Sequence, residues 1–80
     1  MDMRQVVGMN VKRLRGDLGL TQEQFAEKSG FSQQYLSSLE NGHRNPSVVT
    51  LYELASAFGV DPRDLLIPVA KPGKSGRRLR

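Results

Sequence analysis

The sequence of 80 residues contains no cysteine. It can therefore form neither a disulfide framework nor a thiolate metal site. No apolar run approaches the ~18 residues that a membrane span needs, and the N-terminus lacks the apolar stretch of a signal peptide. A chain of this length predicts one small domain with one modest core. We expect a cytoplasmic, nucleoid-associated protein, although the absence of cysteine fits that location without requiring it.

Residues suited to catalysis are also scarce. The sequence holds a single histidine, His43, and no glycine-rich phosphate loop. No predicted helix places a histidine and an acid at the spacing of metal ligands. We therefore expect no enzymatic activity, no cofactor and no metal site, and the lack of an effector domain argues against small-molecule sensing.

Positive charge is concentrated at the C-terminus. The formal net charge is +4, yet residues 1–70 hold seven basic and all eight acidic residues and so carry −1. The remaining five cations lie between Lys71 and Arg80, among two prolines and two glycines that begin at Pro68. Such a segment cannot bury a core. We predict a domain at residues 1–68 and a flexible basic tail at 69–80, which either meets a partner or is an inert solubilising end.

Apolar residues recur with the spacing of helices, and no stretch reads convincingly as a strand. In the first predicted helix an apolar face is formed by Val7, Val11, Leu14 and Leu18 at i, i+4, i+7 and i+11, and Gly19 follows as the C′ residue. A fourth helix, capped by Ser47 and closed by Gly59, carries an apolar stripe of Leu51, Leu54, Ala55 and Phe58.

A short fifth helix is predicted from its start signals. Asp61 is suited to the N-cap and Pro62 to the first helical position. Leu65 and Leu66 then point toward the core. The expected fold is all-α, a compact bundle of five helices.

Two short helices joined by a tight turn are predicted between Thr21 and Gly42. Thr21 can cap the first of them, with Gln24 completing a capping box. Ser32 can cap the second, and Gly30 stands where a sharp corner needs a positive φ. The second helix would then expose the uncharged hydrogen-bonding side chains of Gln33, Gln34, Ser37 and Ser38, which suit the reading of base edges in a DNA major groove.

The order and spacing of these features resemble a known family, the phage repressor and Cro type of helix-turn-helix, also called the xenobiotic-response-element (XRE) type. The resemblance covers residues 7–66. The matching residues are Leu14-Arg15, Gly19-Leu20-Thr21-Gln22, Ala26, Gly30, Leu39-Glu40-Asn41-Gly42, Pro46-Ser47, Leu54-Ala55 and Gly59-Val60. The resemblance implies a lambda-repressor-like bundle of five helices, with helices two and three as the DNA-binding pair.

The family pattern also implies roles for single residues. Gln33 and Gln34 match base-reading glutamines, and Ser37 and Ser38, one turn later, would contact bases or sugar-phosphate. Contacts to the DNA backbone are expected from Thr21, Gln22, Ser32, Tyr35, Asn41, His43, Arg44 and Asn45. Tyr35 could instead touch a thymine methyl group or pack over helix two, and His43 could be an ordinary exposed loop residue. Arg15 and Glu40 match an ion pair between helices one and three, which we interpret as structural.

We therefore expect a sequence-specific transcriptional regulator of bacterial or phage type that binds an inverted-repeat operator on double-stranded DNA as a homodimer. A single recognition helix makes few contacts, and Val60, Ile67 and Val69 are candidates for the dimer interface. The alternative is an antitoxin or protein-interaction module of the same fold, in which the C-terminal tail contacts a protein partner.

Overall fold

The computed structural model describes residues 2–69, and this part of the chain is all-helical. It contains α1 (Met3–Asp17), α2 (Gln22–Ser29), α3 (Gln33–Glu40) and α4 (Val48–Phe58), followed by a 3₁₀ turn at Pro62–Leu65. Helix α1 packs against α3 and the 3₁₀ turn, and α2 packs against α3 and α4. The predicted tail lies, from residue 70 onward, outside the described residues.

The core lies between the four helices. Its centre is a parallel stack of Phe25 on Phe58, with ring centroids 4.2 Å apart and an interplanar angle of 6°. The buried residues around the stack are Val7, Val11, Leu14, Leu36, Leu39, Leu54, Ala55 and Leu65. Because every described helix contributes at least one of these side chains, removing any helix would expose the core.

The predicted fifth α-helix is wrong. The segment is a four-residue 3₁₀ turn, although Asp61 caps it and Pro62 opens it as expected. Its hydrogen bonds span three residues, from the Asp64 amide to the Asp61 carbonyl at 2.8 Å and from the Leu66 amide to the Arg63 carbonyl at 2.9 Å. Four residues are too few for a ladder of α-helical hydrogen bonds, and this tighter turn is common in short segments.

Two leucines expected in the core lie at its edge. Helix α1 ends at Asp17, so Leu18 falls beyond the regular spacing and is 48% exposed. Leu66 follows the 3₁₀ turn and is also exposed. The apolar period identified the buried face of each element correctly, but it did not show where that face ends.

A buried amide fastens the C-terminal turn to α1. The Asn10 side chain is almost fully buried. Its Nδ2 donates to the carbonyls of Leu65 at 3.0 Å and Ile67 at 2.8 Å, and its Oδ1 accepts from Arg13 at 3.0 Å. Every hydrogen of this amide is used, so the polar group is compensated for its burial. Asn10 could not be predicted from the sequence, because one polar residue on an apolar face gives no periodic signal.

Helices α1 and α3 approach each other most closely at Gly8. A Cβ atom placed on Gly8 would lie 2.3 Å from the Leu39 carbonyl oxygen and 2.9 Å from that of Glu40. Only glycine lets two backbones come this close. The C-terminal end of α3 is therefore held directly against the middle of α1.

Candidate DNA interface

The corner between α2 and α3 is fixed by two side-chain caps and one glycine. Thr21 and Gln24 form the capping box, with the Gln24 amide 3.1 Å from Thr21 Oγ1 and the Thr21 amide 2.9 Å from Gln24 Oε1. Gly30 has φ 85°, and Ser32 Oγ accepts from the Tyr35 amide at 3.0 Å. These features confirm the predicted caps and turn, and they define the direction in which α3 begins.

Helix α3 has a buried side and an exposed side. Leu36 and Leu39 are fully buried, whereas Gln33 and Gln34 are exposed in the first turn. Ser37 and Ser38 were expected to be exposed, but they are half-buried. The side chains freest to reach a ligand are thus the two glutamines.

An aromatic stack flanks the exposed face of α3. The rings of Phe31 and Tyr35 stack with their centroids 5.4 Å apart, and the Arg44 guanidinium lies 4.9 Å from the Tyr35 centroid. Tyr35 therefore packs on the turn residue that precedes α3. A cation over an aromatic face is attracted by the ring quadrupole, so Arg44 is held beside α3, and no carboxylate among residues 2–69 pairs with it.

A shallow groove of about 300 Å³ opens next to this stack, between α3 and the start of α4. Among the described residues its lining contains no acidic side chain and consists of Tyr35, His43, Arg44, Asn45, Pro46, Ser47 and Thr50. The first four of these were expected to contact the DNA backbone. Thr50, whose Oγ1 accepts from Ser47 Oγ at 3.1 Å, was not expected at this site. Nothing in a helical period would have indicated it.

The predicted backbone-contacting residues do not all present free side chains. The hydroxyls of Thr21 and Ser32 serve as helix caps. Asn41 Nδ2 donates to the Ser37 carbonyl at 3.0 Å. His43 and Asn45 are exposed in the loop.

Arg15 joins three parts of the molecule. Its Nε and Nη2 donate to the two oxygens of the Glu40 carboxylate at 2.7 and 2.9 Å, and its Nη1 donates to the Leu20 carbonyl at 2.8 Å. Gln22 Nε2 adds a further hydrogen bond to Glu40 Oε1 at 3.1 Å. The group links α1, the start of α2 and the end of α3 in one network.

This network is nearly closed to solvent. The side chains of Arg15 and Glu40 are 16% and 4% exposed. Burial raises the pKa of the Glu40 carboxyl, but the hydrogen bonds from Arg15 and Gln22 and the positive charges of Arg15 and Lys12 together leave that pKa below its ordinary value. The Glu40 carboxylate in turn raises the pKa of Arg15. Both groups are therefore charged at neutral pH.

Most cations of residues 2–69 are neutralised by a neighbour. Arg4, Arg13, Arg15 and Arg63 each pair with a carboxylate. Within that part of the chain the cations outside an ion pair are Lys12, Lys28 and Arg44. Of these, Arg44 lies directly beside the exposed side of α3.

Two other classes of site receive no support from the described residues. Residues 2–69 contain no cluster of three or more histidine or acidic side chains that could hold a metal ion. In the same part of the chain no helix is both long and apolar enough to cross a membrane.

Comparison with known proteins identifies the family. The profile of the helix-turn-helix family matches residues 11–65, which include α2, α3 and the turn between them. The chain belongs to the helix-turn-helix family. An uncharacterized HTH-type transcriptional regulator of Sinorhizobium fredii is 63% identical over 68 residues, covering 85% of this chain and 88% of that protein. The control protein C.SmaI of Serratia marcescens is 38% identical and covers 82% of this chain and 79% of its own length.

Solved structures give the same result. A hypothetical transcription factor from Neisseria superposes with a TM-score of 0.79 at 31% identity, over 84% of this chain and 77% of that one. The restriction-modification controller C.AhdI from Aeromonas hydrophila gives 0.72 at 37% identity, over 78% and 94%. This helix-turn-helix protein is therefore a DNA-binding transcriptional regulator of the XRE type. The comparisons give no support to a protein partner for the C-terminal tail.

Proposed function

We propose that this regulator controls transcription by occupying an inverted-repeat operator as a homodimer, with α3 in the major groove. The observation that carries the proposal is the exposed first turn of α3. Gln33 and Gln34 extend from a capped, uncharged helix start, and a glutamine amide can pair bidentately with adenine N6 and N7. Ser37 and Ser38, half-buried one turn later, are proposed to make shorter contacts to bases or sugars.

The DNA backbone is proposed to lie along the groove beside α3. Arg44 supplies a full positive charge there, and His43, Asn45 and Tyr35 supply polar groups. At Thr21 and Ser32 the contacts would be made by the helix starts that these residues cap. Gln22 would make its contact through its amide. Asn41, the C-cap residue of α3, is proposed to contact the DNA backbone as well. Phosphate contacts of this kind fix the register of a protein on the duplex.

A homodimer is proposed because one recognition helix reads too few base pairs, whereas two-fold pairing places two helices about 34 Å apart. Exposed apolar side chains support pairing at two places. One is the start of α4, where Val48, Val49 and Tyr52 are exposed, and the other is Ile67 after the 3₁₀ turn. Of the other interface candidates, Val60 and Val69 are half-buried.

Two charge substitutions separate these interfaces. Tyr52, 62% exposed, and Ile67, 57% exposed, contribute little to the core, so Tyr52→Glu and Ile67→Glu should each leave folding intact. The substitution that lies in the interface should convert the dimer to a monomer in sedimentation. If neither changes the mass, both patches are outside the interface.

The basic tail is proposed to add affinity without sequence preference. Residues 2–69 carry −1, whereas five cations follow Pro68. Each phosphate that a protein neutralises steepens the slope of log affinity against log salt by about 0.9. Cutting the chain after Pro68 should flatten that slope by a few units and preserve base preference. An unchanged slope would leave the tail without a role on DNA.

The function as a whole is tested by selecting duplexes from a random DNA pool. The expected site is an inverted repeat with half-sites about 10–10.5 base pairs apart. Gln33→Ala should then cost about 1–3 kcal/mol on that site and relax the preference at one base pair. An equal loss of affinity for selected and random DNA would show that Gln33 contacts only the DNA backbone. A selected site without an inverted repeat would contradict the dimer.

The proposed mechanism works through binding alone and requires neither a cofactor nor a catalytic group. An antitoxin or interaction module would also use this fold. The mass of the complex isolated from the native cell distinguishes the two, because an antitoxin would copurify with a protein of different sequence.

A further inference from the structure

The network around Glu40 includes a residue that is itself proposed to touch DNA. Gln22 stands in the first turn of α2, and its side chain is held by Glu40, which lies at the opposite end of the helix pair, in the last turn of α3. Arg15 fixes that carboxylate from the other side through both of its oxygens. The position of the Gln22 amide is therefore set by an ion pair between two other helices.

We propose that Glu40 is a positioning residue that holds the Gln22 amide in the orientation required to bind a DNA phosphate. This inference rests on the proposed phosphate contact of Gln22. It assigns to the Arg15–Glu40 pair a part in DNA binding in addition to its part in stability.

The chemistry of the three groups explains why the orientation matters. An ionised carboxylate only accepts hydrogen bonds, so the end of the Gln22 amide that faces Glu40 is the nitrogen. That nitrogen carries two hydrogens, of which Glu40 takes one. A phosphate also only accepts, so the second N–H is the group it needs. If the amide turned over, its oxygen would replace that nitrogen and repel both anions.

Neutralising Glu40 distinguishes its positioning of Gln22 from the effect of its charge, because the two change DNA affinity in opposite directions. Glu40→Gln removes one negative charge and leaves the Arg15 cation uncompensated, which should strengthen attraction to DNA. It also replaces an acceptor-only group by an amide that no longer dictates how Gln22 is turned. Positioning therefore predicts weaker binding, and electrostatics alone predicts tighter binding.

A double-mutant cycle on the best duplex selected from a random pool measures the coupling. Gln22→Met keeps the length of the side chain and removes its amide, and we expect it to weaken binding about tenfold. Glu40→Gln should cost about as much, and the double variant no more than either alone. All affinities are measured well below the melting temperature of each variant, as judged by circular dichroism.

Asp17→Asn is the matched control. It makes the same change of charge on α1, in an exposed pair with Arg13, whereas the side-chain hydrogen bond of Gln22 goes to Glu40. It should leave affinity unchanged or slightly higher, and its effect should add to that of Gln22→Met.

An additive loss of DNA affinity, about a hundredfold in the Gln22→Met, Glu40→Gln double variant, would overturn the inference. Tighter DNA binding by Glu40→Gln would also overturn it, and so would an unchanged affinity of Gln22→Met. If Glu40→Gln does not fold, the side-chain amide resonances of Gln22 in the unmodified protein provide the test. They should shift on acidification together with the Glu40 carboxyl resonance, and independent titration would refute the contact. Failure of the unmodified protein to bind any selected duplex would instead refute the proposed function.

Discussion

The two ends of α3 differ in nearly every physical respect. The first turn exposes two uncharged glutamines, and it is held by the Ser32 cap and by the packing of Tyr35 and Leu36, without an ion pair to another helix. The last turn is closed in by Gly8 of α1, by the Arg15–Glu40 ion pair and by Gln22. The difference shows how a helix of eight residues, too short to be stable alone, can be held rigidly at one end and remain free to read a ligand at the other.

The largest effect is expected from breaking the held end. Glu40→Ala leaves the Arg15 charge stranded in a site that is 16% exposed, so the free energy of unfolding should fall by roughly 3–5 kcal/mol. Chemical denaturation measures the loss. Glu53→Ala, at an exposed position on α4, should change stability by less than about 0.5 kcal/mol. Unchanged melting together with lost DNA binding would place Glu40 in the interface itself.

The same carboxylate predicts a dependence on pH. Because the pKa of Glu40 is lower in the folded than in the unfolded chain, its contribution to stability is present above the unfolded value of ~4.3. It is lost as the pH falls through the folded pKa. Glu40→Gln should remove this part of the acid sensitivity in pH-dependent unfolding. If the unmodified protein and Glu40→Gln lose stability identically as the pH falls, the assigned direction of the pKa shift is contradicted.

Two glycines of α1 provide the next test, because a Cβ atom would meet different surroundings at each. Gly8→Ala would place its Cβ 2.3 Å from the Leu39 carbonyl oxygen, and the required separation of α1 from α3 should cost about 1–3 kcal/mol. Gly16→Ala meets no atom within 4 Å and should stabilise the helix by roughly 0.5–1 kcal/mol. Thermal unfolding compares them directly, and equal effects would mean that α1 and α3 separate easily.

A smaller effect is expected at the free end. Ser32→Ala removes the acceptor for the Tyr35 amide and should cost about 1 kcal/mol. Ser32→Gly should cost only a few tenths, since glycine is tolerated at this position. A loss for Ser32→Ala as large as that for Glu40→Ala would show that the start of α3 matters as much for stability as its end.

The smallest effect on stability is expected from the side chains proposed to read DNA. Gln34→Ala, at an exposed position of α3, should change the free energy of unfolding by no more than about 0.5 kcal/mol. Its affinity for the selected operator should nevertheless fall. Destabilisation beyond 1 kcal/mol would contradict the view that this end carries function without supporting the fold.

Local chemistry was enough to predict the corner and the start of each helical segment except α1, whose Asp2 cap was not predicted. Thr21 with Gln24, Ser32, Ser47 and Asp61 act as caps, because a short polar side chain beside an unsatisfied amide needs only its own segment. The all-helical fold followed from the apolar period. The residue order also identified the family.

Contacts between helices were the part that the residues did not reveal. The sequence around Gly8 does not distinguish a point of close contact between helices from an ordinary helical position. The sequence around Asn10 likewise does not show that its amide is buried and hydrogen-bonded to the C-terminal turn. Gln22 was expected to face DNA, and its bond to Glu40 depends on a rotamer that only the folded structure defines. The Arg15–Glu40 pair was expected from the family pattern alone, since 25 residues separate its members.

The Arg44–Tyr35–Phe31 stack has a practical consequence for spectroscopy. The sequence contains no tryptophan and two tyrosines, so Tyr52→Phe leaves Tyr35 as the only strong fluorophore. Its ring lies beneath a guanidinium in the groove proposed to receive a phosphate. Movement of Arg44 toward an anion would change the fluorescence emission of Tyr35. DNA binding could therefore be followed by this emission without an attached label.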